Sequence, residues 1–134
     1  MKTAPKIAST VAGVLIAAGV ASSFVVGRDG VRQIAFESTA WQRADSVDHY
    51  RTVRSQMIQD LLRRYKFEGW TRQQVLALLG EPTHGEPAKM GFGQWDAVYI
   101  LGLERAGAWS LDDEALGFKF DPSGKVVSYG LSVN

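Results

Sequence analysis

The sequence contains no cysteine. That excludes disulfides, thiolate metal sites and thiol catalysis, and it excludes a lipid-modified N-terminal cysteine. A surplus of one charge sign is lacking too. Lys and Arg number 15 and Asp and Glu 14, for a formal net charge of +1. The two signs are interspersed, so no basic face for nucleic acid is expected. Histidine is scarce. His49 falls on an expected helix and His84 in an expected loop, with no H-x-x-x-H or carboxylate spacing to make a metal site. Asp112, Asp113 and Glu114 lack the alternating oxygen ligands and central glycine of a calcium loop, and are read as a solvated charge cluster. Gly91-Phe92-Gly93 is followed by neither Lys-Ser/Thr nor a helix, so it is not a phosphate loop. Asp48 and His49 are sequence neighbours, which do not face each other on a helix. No catalytic, cofactor-binding or metal residue is assigned, and no cofactor is expected.

What is present is a globular balance. Of 134 residues, 46% are apolar and 22% charged, enough for one domain plus an appendage. The appendage is N-terminal. Ile7 to Val26 carries no charge and follows Lys2 and Lys6. Twenty helical residues at 1.5 Å rise reach about 30 Å, the thickness of a bilayer's hydrocarbon core. Two readings fit residues 1–26: a retained signal anchor, or a signal peptide cut after the small-x-small Gly19-Val20-Ala21. The anchor is preferred, because Phe24-Val25-Val26 extends the apolar run past that cut. Both readings place the remaining chain outside the cytoplasm. The preferred one is a single-pass inner-membrane protein, the alternative a periplasmic or secreted one. Residues 27–44 show no sustained period and are read as a linker, with Phe36 and Trp41 tucking onto the folded domain.

The domain is expected over residues 45–134. Val47, Tyr50, Val53, Met57, Ile58, Leu61, Leu62 and Tyr65 recur at helical steps, which predicts one amphipathic helix from Asp45 or Ser46 to near Tyr65. After the turn Lys66 to Gly69, a second, shorter helix has both ends written in. Thr71 and Gln74 make a Thr-x-x-Gln capping box, Gly80 offers a positive φ for the C-terminus, and Pro82 forbids continuation. Val75, Leu76, Leu78 and Leu79 form its apolar stripe. About nine residues cannot hold a helix alone in water, so this one must lie on a sheet.

Three strands are predicted to supply it: Trp95 to Leu101, Glu114 to Asp121, and Lys125 to Val133. Asp121-Pro122-Ser123-Gly124 suits a type I turn between the last two. Leu116, Phe118 and Phe120 share one face, as do Val127, Tyr129, Leu131 and Val133. Such alternation predicts an antiparallel sheet with one face on helices and one toward water. Leu103 to Asp113 reads as a loop. Glu81 to Gln94, with two prolines and three glycines, reads as an exposed connection or as a contact loop with Met90 and Phe92 as its sticky residues. The fold class expected is α+β, a two-helix hairpin on a three-stranded antiparallel sheet, in the order ααβββ, preceded by a membrane helix.

Gly69, Trp70, Thr71, Val75, Leu78, Leu79, Gly80 and Pro82, followed by Phe120, Asp121, Gly124, Lys125 and Val126 in the last hairpin, resemble the BamE-like (SmpA/OmlA-type) family of small bacterial envelope domains. Phe36, Trp41, Arg54, Met57, Asp60 and Leu61 resemble a subgroup of uncharacterised members without a lipobox. The resemblance covers roughly residues 36–134. It implies the ααβββ fold and a role in the cell envelope. The lipoprotein members carry a lipobox cysteine, which this chain lacks, so residues 7–26 would supply the anchor instead. The function expected is a non-enzymatic, membrane-tethered, extracytoplasmic protein-protein interaction module. It would contact another envelope protein through a sheet edge or the Pro82 to Gln94 loop. The alternative, since the fold also serves proteinaceous inhibitors, is an inhibitor of a secreted or periplasmic enzyme. Neither nucleic acid nor a small-molecule substrate is expected as partner.

Overall fold

Thr71 begins the short helix as its sequence prescribes. Its Oγ1 accepts the Gln74 N–H at 3.2 Å, and its own N–H donates to Gln74 Oε1 at 2.8 Å. Gly80 ends the helix at φ 76 and ψ −167, with its N–H on the Leu76 carbonyl. Around this element the computed structural model describes residues 25–26, 32–44, 53–103 and 112–134. In chain order they form strands β1 (Val25–Val26) and β2 (Arg32–Gln33), helices α1 (Ser38–Arg43), α2 (Val53–Arg64) and α3 (Arg72–Leu79), a 3-10 turn (Pro87–Met90), and strands β3 (Ala97–Leu103), β4 (Asp113–Phe120) and β5 (Val126–Val133).

The architecture is α+β, with three helices and a three-stranded antiparallel sheet in the order β3-β4-β5 among the described residues. The apolar face of α2 and the stripe of α3 meet one face of that sheet. Met57, Ile58, Leu61, Val75, Leu78 and Leu79 are buried there against Tyr99, Leu101, Leu116 and Phe118. Aromatic rings fill much of the space edge to face. Phe67 lies 4.9 Å from Trp70 and 5.2 Å from both Phe118 and Tyr129, centroid to centroid. Such pairs favour the offset of a positive ring edge over a negative ring face.

Of residues 27–44, the described part, 32–44, carries a strand and a helix. Arg32–Gln33 pairs antiparallel with Val25–Val26, and Ser38–Arg43 is helical. The Glu37 carboxylate caps α1 by accepting the N–H groups of Thr39 and Ala40 at 3.1 and 2.6 Å. Phe36 and Trp41 are core residues, as their size suggested. In turn α1 closes the end of α3. Ser38 Oγ donates to the Leu78 carbonyl at 2.6 Å, and Gln42 Nε2 reaches the carbonyls of Ala77 and Leu78. Those carbonyls have no intrahelical donor.

Of the expected membrane span, residues 7–24 lie outside the described residues. Its last two, Val25 and Val26, are strand rather than helix, in keeping with the extended preference of β-branched side chains. Among the described residues no helix is long and apolar enough to cross a membrane. Residues 45–52, the expected start of α2, and 104–111, most of the expected loop before β4, also lie outside them.

The sheet qualifies two expectations. Its second face is only partly left to water, and the segment after α3, though exposed along most of its length, buries Phe92 on it. Phe92 is fully buried with Val98 and Ala115, flanked by Met90, Trp95 and Ile100. The segment folds back through the turn Pro87–Met90 and covers the outer face of β3 and β4. Burying a phenylalanine stabilises by about 1.5–3 kcal/mol, enough to draw a glycine-rich connection onto the sheet. Trp95, expected to open the first strand of this sheet, precedes it and belongs to this second layer. Its indole lies directly over Gly117 of β4.

Candidate interaction surface and adjoining cleft

A three-stranded sheet has two edges, and this chain treats them differently. Beside β3, the Thr83 N–H donates to the Val98 carbonyl at 2.8 Å, and the Ile100 N–H donates to Thr83 Oγ1 at 2.9 Å. One threonine thus occupies the middle of that edge. Beside the first residue of β5, the turn between α2 and α3 does the same. Gly69 N–H donates to the Val126 carbonyl, and Val126 N–H to the Trp70 carbonyl, at 2.9 and 2.8 Å.

From Val127 onward nothing described lies alongside β5. The Asn134 N–H donates inward to the Asp113 carbonyl. Antiparallel alternation then turns the backbone groups of Ser132, Gly130 and Ser128 toward β4, and those of Val133, Leu131 and Tyr129 outward. The side chains along this free edge are apolar and open. Val127 is 50% exposed, Leu131 40% and Val133 39%. Leu131 and Val133 pair with Leu116 and Glu114 on the helix side of the sheet, beyond the reach of the helices. Tyr129 on the same side packs on Phe67 and Phe118.

The β4–β5 hairpin holds this edge in place. Asp121 Oδ1 accepts from Ser123 N–H, Ser123 Oγ and Lys125 N–H, and Gly124 N–H closes the turn on the Asp121 carbonyl. These bonds, that of the Ser123 hydroxyl foremost, hold the exposed Asp121 carboxyl below its ordinary range. At the far end Asn134 Oδ1 accepts from Asp113 N–H, and its Nδ2 donates to the Met90 carbonyl. The last strand is thereby tied to the segment that covers the sheet's outer face.

Separately, a cleft of about 390 Å³ opens between α1, α2 and the end of α3, lined by Gln42, Arg43, Arg54, Glu81, Thr83 and His84 among others. Arg54 is structural at one side. Its Nε donates to the Trp41 carbonyl at 3.0 Å, and its guanidinium sits 5.3 and 5.9 Å from the rings of Trp41 and Tyr99. The Tyr99 hydroxyl donates to the Gly80 carbonyl at 2.9 Å, and burial raises its pKa, so it stays protonated across the ordinary range.

Of the residues singled out in the sequence, His84 is exposed on this cleft and His49 lies outside the described residues. Met90 is half-buried, and Phe92, fully buried, is not a contact residue. Asp112 is exposed, but Glu114 is buried on the helix side of β4, which corrects the reading of a uniformly solvated cluster. Among the described residues no group of three or more His, Asp or Glu could hold a metal ion. The open stretch of β5 had no signal of its own in the sequence, since an edge and a central strand alternate alike. Compared with protein-family models, with curated proteins and with solved structures, the chain matches none.

Proposed function

We propose that this protein is a non-enzymatic interaction module, tethered by residues 7–26 on the outer side of the inner membrane of a bacterial envelope. It binds another envelope protein by accepting a strand on β5. The observation that carries the reading is the free edge itself. Val127 to Val133 offers outward backbone groups flanked by three exposed aliphatic side chains, while the β3 edge is blocked by Thr83. An added strand gains affinity from main-chain hydrogen bonds and specificity from alternate side chains. The BamE-like motif over Gly69 to Pro82 supports the envelope assignment by resemblance.

The experiment is in-cell photocrosslinking of the full-length chain in its native cell. A photoreactive residue replaces Leu131 on the edge or, as control, the exposed Gln73 on α3. The expected result is an adduct with an envelope protein from position 131 and none from 73, in membrane fractions that retain residues 1–26. Adducts from both positions alike, or from neither, overturn the reading. A cleaved, soluble form bound to one enzyme replaces it with the inhibitor alternative.

A further inference from the structure

We infer that the free edge of β5 pairs with a second copy of this chain, antiparallel about Gly130. The inference rests on the reading of β5 as a contact edge and names one partner for it. The free stretch reads Val127-Ser128-Tyr129-Gly130-Leu131-Ser132-Val133, which is a near-palindrome centred on Gly130. Antiparallel pairing about that residue sets Ser128 against Ser132 and Tyr129 against Leu131, and brings Val127, the extra residue at the register shift opposite Lys119 and Phe120, near Val133. Like matches like in size and polarity, and an aromatic ring meets an aliphatic side chain. These are the cross-strand pairs that stabilise a sheet by about 0.2–1 kcal/mol each. The backbone groups agree with the side chains. Tyr129 and Leu131 both turn theirs outward, so they meet as hydrogen-bonded pairs, and Gly130 meets Gly130 at the closer, non-hydrogen-bonded position.

Among the described residues of one copy nothing requires glycine at 130. Its φ is not positive, and a Cβ there would meet nothing within 4 Å. A glycine inside a strand costs stability, and it marks places where another backbone comes close. The two-fold axis would supply that backbone.

Charge agrees as well. No residue from Val126 to Val133 is ionisable except the Tyr129 hydroxyl, so self-pairing sets no like charges together. It brings the Lys125 end of each copy toward the Asp112 and Asp113 end of the other. The pairing also stops where it must, because the Val126 backbone is already held by Gly69 and Trp70. The paired strip is about 24 Å long and about 10 Å deep. That is below the roughly 800 Å² per partner of a standard interface, so the dimer is weak and concentration-dependent. A partner strand from another protein competes for the same edge.

The test uses the absence of native cysteine. Full-length chains carrying Gly130→Cys or Ser128→Cys are purified in detergent and oxidised with copper phenanthroline. Non-hydrogen-bonded partners lie about 4.5 Å apart between Cα atoms, within disulfide range. Ser128 is four residues out of register with its own copy, roughly 13 Å away. The expected result is a covalent dimer from Gly130→Cys and none from Ser128→Cys. Adding Leu131→Lys, at an exposed position that leaves the fold intact, is expected to slow dimer formation at least about tenfold by placing two cations beside the axis. Equal crosslinking of both cysteines, no crosslinking of either, or indifference to Leu131→Lys overturns the inference. If Gly130→Cys stays monomeric while photocrosslinking from position 131 still captures an envelope protein, self-pairing fails and the interaction module stands.

Discussion

Gly117 of β4 is predicted to be irreplaceable while Trp95 is present, and dispensable once it is gone. A Cβ built on Gly117 would overlap the Trp95 indole. The backbone there has no positive φ, so alanine meets no conformational penalty and the conflict is purely steric. To regain van der Waals distance the ring must retreat by about 1 Å or more. That movement breaks the 2.8 Å hydrogen bond from Trp95 Nε1 to Ser132 Oγ and loosens the layer of Phe92, Val98 and Ala115 beneath the turn Pro87–Met90. Overpacking of this kind costs about 1–3 kcal/mol and the hydrogen bond about 0.5–1.5. Relief of a glycine in a strand returns about 0.5–1 kcal/mol. Gly117→Ala should therefore destabilise by about 1–3 kcal/mol, or roughly 5–20 °C in Tm for a domain of this size. In a Trp95→Ala background the same substitution should be neutral or stabilising, which makes the coupling in a double-mutant cycle about 2 kcal/mol. The assay is urea unfolding of the four full-length variants followed by far-UV circular dichroism. Additivity within about 0.5 kcal/mol would refute the claim that the second layer is built on this contact.

Three further outcomes follow from individual side chains. Asp60 is half-buried and accepts from the Phe36 N–H at 2.7 Å, from Arg64 at 2.8 Å and from Arg63. Burial pushes its carboxyl up, but the Phe36 hydrogen bond and the two guanidinium groups outweigh it and leave the pKa lowered. A depressed folded-state pKa contributes stability above the unfolded value, about 3.9, that is lost as pH falls through the folded value. Asp60→Asn should thus cost about 1–2 kcal/mol at pH 7 and flatten the acid limb below about pH 4 in a pH series of thermal melts. Gly80→Val should cost at least about 1–3 kcal/mol, because φ 76 with ψ −167 is glycine territory and its Cβ would press on Gln42 at 3.0 Å; unchanged melting would sink the capped-helix account. Tyr65→Phe should leave stability unchanged or raise it by up to about 1 kcal/mol in the same melts, since the Tyr65 hydroxyl is buried without a hydrogen-bond partner.

The sequence was most legible where local chemistry alone decides. Thr71, Gln74 and Gly80 delimit α3 because caps act within one turn, and Asp121 to Gly124 make a turn because Asp121 satisfies the backbone by itself. Helix α1 escaped notice because six residues carry no period and its cap, Glu37, is outside the usual Ser, Thr, Asp and Asn set. The second layer escaped because glycine and proline in residues 81–94 read as exposure, whereas Phe92 pulls the segment onto the sheet. One signal was available: Gly117 interrupts an otherwise apolar strand, and such a glycine marks close approach. The palindrome of β5 was visible too, but it has meaning only once β5 is known to be an edge. The alternation of Val127, Tyr129, Leu131 and Val133 implied burial, and it did set three of them on the helix side. Coverage is what failed, since the Phe67 and Trp70 end of the helical layer reaches Tyr129 and goes no further.

That uncovered corner is the strongest constraint on what the protein does. Natural sheets blunt open edges with lysine, proline, inward charge or a covering segment, because an apolar edge recruits other strands. This chain uses a covering segment twice, with Thr83 on β3 and with Gly69 and Trp70 on β5, so it has the means to close an edge. Among the described residues nothing covers the edge of the seven from Val127 to Val133, and none of the seven is charged. A net charge of +1 adds little mutual repulsion to keep copies apart. On the proposed function, this edge is where an occupant pairs. The near-symmetry of Val127 to Val133 about a glycine that no contact among the described residues demands is what favours, as that occupant, the same strand turned end for end.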